Sequence, residues 1–171
     1  IVFGGDDGFI RLVQPDSSSI VKESEAPVSA LAFSPNGVLI AAAIGTRIEV
    51  IDLQSGESTM LGPIGNHASI VFSPGGKSLA TASIDAPCEI QVWNLQTGGV
   101  RVLKGAWKGP ASISFSGDGK TIAAADSDLS NPSIRLWDVE TGTARVLGRS
   151  TRQITSVAFL PDGKRIASGS W

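Results

Sequence analysis

Cysteine occurs once in the 171 residues, as Cys88, so no disulfide can form within the chain, and a lone thiol fits a reducing compartment. Histidine also occurs once, as His67, which leaves a single imidazole for any Ser-His-acid arrangement. The longest apolar run, Val38 to Ile44, falls far short of the roughly 20 residues a membrane helix needs, so no membrane association is expected. Neither sign of charge dominates: the net charge is −2, the pI is about 5.3, and no run of like charge is long enough to form a tail. With no broad basic field, a nucleic-acid partner is not expected. Gly4-Gly5 and Gly75-Gly76 lack the Gly-Lys-Ser/Thr ending of a phosphate loop, so no nucleotide or other cofactor is expected. The chain opens on Ile1, in a strand-like segment, without an initiator Met or a secretory leader. It reads as part of a longer, cytoplasmic protein.

What the chain does contain is a repeat. Phe33-Ser34-Pro35-Asn36-Gly37 returns as Phe72-Ser73-Pro74-Gly75-Gly76, Phe115-Ser116-Gly117-Asp118-Gly119 and Phe159-Leu160-Pro161-Asp162-Gly163, with the Phe positions 39, 43 and 44 residues apart. A second element reads Ile10-Arg11-Leu12-Val13, Ile48-Glu49-Val50-Ile51, Ile90-Gln91-Val92-Trp93 and Ile134-Arg135-Leu136-Trp137. Its period-two alternation and β-branched or aromatic residues predict short strands rather than helices. Between the two elements runs a strand ending in small residues, at Leu39 to Ala43, Ser78 to Ala82, Thr121 to Ala125 and Arg165 to Ser168, which would let neighbouring sheets approach closely. Hairpins at Asp52 to Gly56, Asn94 to Gly98 and Asp138 to Gly142 lead to a fourth strand. The expected organisation is all-β, with four-stranded antiparallel units at 26–65, 66–107 and 108–152 and partial units at 1–25 and 153–171. Gly37, Gly76, Gly119 and Gly163 are expected at positive φ, and the four Phe, with Trp93 and Trp137, are expected to be buried between units. The simplest arrangement of 17 such strands is an open arc rather than a closed ring.

Phe-Ser-Pro-Asp-Gly-Lys, a small-residue strand, Ile-Arg-Leu-Trp-Asp and a Thr-Gly turn, in that order and over essentially the whole chain, resemble the WD-repeat β-propellers. The resemblance implies a propeller of four-stranded blades serving as a rigid platform for protein partners. Trp137-Asp138 is the one full signature pair; Trp93-Asn94, Ile51-Asp52 and Val13-Gln14 match progressively less well. The family's Gly-His pair is replaced by Glu23-Ser24, Gly62-Pro63, Gly105-Ala106 and Arg149-Ser150, so its His-to-Asp network cannot form and packing must carry blade rigidity.

No catalytic, cofactor or metal site is expected. Asp6, Asp7, Asp85, Asp126 and Asp128 could supply oxygen ligands, but they lie on different blades. Candidate partner contacts gather where one blade passes to the next. Trp107 and Lys108 stand in the linker Gly105 to Pro110, Arg152 occupies a comparable linker one period later, and Trp171 is expected to end its strand on the same face. His67 precedes a first strand at the place of Val28 and Ile154, as a structural, loop or rim residue. Residues 1–100 carry 4 basic and 10 acidic side chains and residues 101–171 carry 10 and 6, a polarity that an interaction surface could use. The reading is a non-enzymatic protein-interaction scaffold. The alternatives are a sensor or regulatory region of a larger NTPase- or kinase-linked protein, or a periplasmic or secreted propeller enzyme.

Overall fold

In the computed structural model, residues 1–63, 67–85, 88–105, 109–126, 128 and 130–170 are described, and they form 17 strands in five antiparallel sheets. Sheet I contains β1 (Val2–Gly4), β2 (Phe9–Gln14) and β3 (Ser17–Glu23). Sheet II contains β4 (Val28–Phe33), β5 (Leu39–Ile44), β6 (Arg47–Asp52) and β7 (Ser58–Pro63). Sheet III is built from β8 (His67–Phe72), β9 (Ser78–Ser83), β10 (Ile90–Asn94) and β11 (Val100–Leu103), and sheet IV from β12 (Pro110–Phe115), β13 (Thr121–Asp126), β14 (Ser133–Asp138) and β15 (Ala144–Arg149). Sheet V has two strands, β16 (Ile154–Phe159) and β17 (Ile166–Ser170). Within every sheet the strands follow chain order, so each sheet is a meander. Among the described residues there is no helix long and apolar enough to cross a membrane.

The turn between the first two strands of a full sheet shows how local sequence sets this geometry. Ser34 Oγ donates to Asn36 Oδ1 (2.7 Å) and accepts from Leu39 N (2.8 Å), and Ser116 repeats the pattern with Asp118 (2.6 Å) and Thr121 N (2.9 Å). The chain then reverses at Gly37, Gly76, Gly119 and Gly163, whose φ values are +71°, +68°, +71° and +65°, as expected of a glycine in a bulged turn. Successive turns also touch: a Cβ on Gly76 would lie 3.6 Å from Pro35 Cδ, and one on Gly119 would lie 3.6 Å from Pro74 Cδ.

The core is divided among the seams between sheets. Sheets II and III share Ala41, Ala43, Ile48, Leu61, Phe72, Leu79 and Trp93, and sheets III and IV share Ala80, Ala82, Ile90, Leu103, Phe115 and Trp137. Ala41 to Ala43 and Ala123 to Ala125 are completely buried, because only a methyl group fits where second strands meet adjoining sheets. The first strands are tied across the seams by serine hydroxyls. Ser69 Oγ accepts from Ile113 N (3.3 Å), Ser112 Oγ from Val157 N (3.3 Å) and Ser114 Oγ from Phe159 N (3.1 Å).

Trp93 and Trp137 are buried, as are Phe72 and Phe115, at 5% and 7% exposure. The expectation for the other two Phe residues needs correction: Phe33 is 39% exposed and Phe159 is half-buried. Phe72 and Phe115 pack on the sheet that precedes them in the chain. Sheet I begins with β1 and has no strand at the place that β4 takes in sheet II, so Phe33 lacks part of its cover. Phe159 lies in a sheet of two strands and packs only toward sheet IV. β1 pairs with β2 alone and β17 with β16 alone, so the sheets form an arc that does not close.

Candidate functional site

Strand register decides which loops share a face. Val28 of β4 is paired with Ile44 of β5, Ile44 with Arg47 of β6, and Arg47 with Pro63 of β7. The linker entering sheet II, its loop at 45–46 and the linker leaving it therefore emerge together, and Gly45 N donates to Pro27 O (2.9 Å) across them. The pairs His67 with Ser83, Pro110 with Asp126 and Ile154 with Ser170 place the corresponding segments of sheets III, IV and V in the same way. This linker face lies at the opposite strand ends from the Phe-x-Pro-x-Gly turns.

Arg152 is exposed on the linker face, in a bend between β15 and β16, with its backbone N–H donating to Ser150 Oγ (3.0 Å). His67 opens β8, so it is a strand residue rather than one that precedes the strand. Trp107, Lys108 and Trp171 lie outside the described residues. Arg152, in the linker before β16, and the backbone of His67, at the start of β8, thus lie on one face, two sheets apart.

The structure adds polar groups that the sequence reading passed over. Glu49, Gln91 and Arg135 hold the same place in the third strands of sheets II to IV, and Arg11 holds it in β2, the corresponding strand of sheet I. Glu49 is only 4% exposed, and Lys22 of sheet I reaches across the seam to its Oε2 (2.7 Å) while Arg47 Nε lies 3.5 Å from Oε1. Arg135 Nε lies 3.6 Å from Oδ2 of the buried Asp126. Each of these four residues is flanked by apolar ones (Ile48 and Val50 beside Glu49, Ile134 and Leu136 beside Arg135), and that alternation was the available signal.

The loop before β10 brings Cys88 against the same region. Its Sγ donates to Ile84 O (3.6 Å), and a Cβ on Gly109 would lie 3.4 Å from it. Burial, and then the charges of Asp126 and Asp85, push the thiol pKa up, so Cys88 is held protonated and is a poor nucleophile. Among the described residues no three His, Cys, Asp or Glu side chains converge as a metal site. The face offers exposed loop surface on rigid sheets, which suits recognition of another chain.

Separate four-stranded meanders stacked through their first strands define the class of protein as a β-propeller. The structure of Kuenenia stuttgartiensis Hydrazine Synthase aligns with a TM-score of 0.79 over 94% of this chain and 49% of that chain, at 22% identity, a likeness of fold alone. Residues 99–138 and 143–171 match WD40, "WD domain, G-beta repeat". Mouse (Mus musculus) WD repeat-containing protein 90 is 32% identical over 101 residues, 55% of this chain. The WD-repeat match thus lies in the two segments 99–138 and 143–171, and the chain spans about 5% of the length of that relative.

Proposed function

We propose that this chain is a non-enzymatic scaffold that holds a protein or peptide partner on its linker face. WD repeats generally mediate protein–protein interaction. The observation that carries the reading here is the register that brings every linker and every second-to-third-strand loop to one side of the arc. Loops there are free to vary because the strands beneath them are fixed by buried seams. Trp107, Lys108 and Arg152 supply an aromatic anchor and two cations suited to an acidic or amphipathic peptide, with His67 and Trp171 as neighbouring contacts.

The test combines Trp107→Ala with Arg152→Glu in the full-length protein, followed by quantitative comparison of co-purified proteins and a thermal melt. The expected result is loss of specific partners at an unchanged melting temperature. Unchanged partner recovery with an unchanged melt would remove the linker face from consideration.

A further inference from the structure

Away from the linker face, sheets II and III enclose a groove of about 260 Å³. Its floor is apolar, from Leu39, Val50 and Leu61 of sheet II and Leu95 from the β10–β11 turn of sheet III. Its rim carries two carboxylates, Asp52 and Glu57, brought side by side because Asp52 N donates to Glu57 O (2.9 Å) at the mouth of the hairpin.

The repeats provide their own comparison. The hairpin from Asp52 to Leu61 is matched residue for residue by Asn94 to Leu103 and by Asp138 to Leu147. Where the later sheets have Arg101 and Arg145, sheet II has Thr59. The first turn differs in the same sense. Leu95 N donates to Lys77 O and Val139 N to Lys120 O, and the equivalent bond from Leu53 N goes to Val38 O. At both positions where the other full sheets set a cation beside this hairpin, sheet II has a neutral side chain. Glu57, by contrast, replaces the uncharged Gly99 and Thr143. The groove is thus left with two negative charges and no positive one among its lining residues.

We propose that this groove receives a lysine side chain from an extended segment of a partner protein, with the methylene stem on the apolar floor and the ammonium group at Asp52 and Glu57. An exposed ion pair alone contributes little, so the floor matters as much as the charges. A compact ammonium group fits this rim better than a planar guanidinium, because Asp52 Oδ1 already accepts from Gln54 N (2.7 Å) and Ser55 N (3.0 Å) and cannot offer an unoccupied pair of oxygens. Those backbone bonds, Ser55 first and then Gln54, also hold the Asp52 carboxyl below its ordinary range, so it stays charged. The groove is separate from the linker face and does not depend on it.

The probe is a fluorescein-labelled peptide, acetyl-Ala-Leu-Lys-Leu-Ala-amide, titrated into the full-length protein and followed by anisotropy. Replacing the peptide lysine with norleucine, or introducing Thr59→Arg, is expected to weaken binding about tenfold or more, and binding to the unmodified protein should weaken as salt is raised. Asp52→Asn with Glu57→Thr should act similarly. All three substitutions install residues that the equivalent hairpins already carry, so the fold should persist, which circular dichroism would verify. Arg152→Glu should leave peptide binding unchanged, so failure here is distinguishable from failure of the linker-face reading. Absence of binding, or a change of less than about threefold with norleucine or Thr59→Arg, would overturn the proposal.

Discussion

Gly8 shows how closely a single residue can be specified. Its φ is +75°, and a Cβ would lie 2.0 Å from the Ser24 carbonyl oxygen, in backbone that cannot swing aside. Gly8→Ala should therefore cost at least the roughly 1–3 kcal/mol of a strained backbone conformation, whereas the same change at Gly148, which has open space around it and no positive φ, should be nearly silent. Paired urea melts would check this contrast. The turn aspartates predict a pH dependence. Asp118 is held below its ordinary value of 3.8 by Ser116 and then by Lys120 N, Asp138 by the backbone and then the hydroxyl of Thr141, and Asp162 by Lys164 N and then Arg165. A depressed folded-state pKa contributes stability that is fully present above the unfolded value and lost as pH falls through the folded one. The urea midpoint should therefore fall progressively below about pH 4, and Asp118→Asn should flatten that fall. An unchanged acid limb in the variant would contradict the assignment.

At the level of strands and turns, the seams decide the energetics. Phe115 is buried against sheet III, so Phe115→Ala should cost about 3–5 kcal/mol. Phe33 holds the equivalent place in its strand yet is 39% exposed, so Phe33→Ala should cost less than half as much, measured by the same melt. Much of this level was legible beforehand. The Phe-x-Pro-x-Gly spacing located the first hairpin of each unit, and the alternation around Trp93 and Trp137 located the third strand. What could not be read was the burial of Phe33, because the residue has a full signature while its cover depends on a strand of another sheet. The Lys22–Glu49 pair was hidden for the same reason: its partners are 27 positions apart, in sheets whose relative placement a single sequence does not state. The linker face followed from counting strands, while the groove between sheets II and III required knowing that Leu95 of one sheet closes over the hairpin of another.

For the molecule as a whole, the arc has consequences that no single sheet has. The edges of β1 and β17 that face away from their partners are unpaired, and such edges are templates for further strands. The 171-residue chain expressed alone should associate as its concentration rises, which sedimentation velocity would detect; a monomer at all concentrations would argue that the edges are blunted. Each sheet packs on its immediate neighbours in the chain, so local stability depends on how many flanking seams a sheet possesses. Sheets II, III and IV have two apiece, while sheets I and V have one. Amide protons should therefore exchange with deuterium in a graded order along the chain, those of β16 and β17 first and those of β9 and β10 last, so that the molecule frays from its ends inward like a zipper rather than opening all at once.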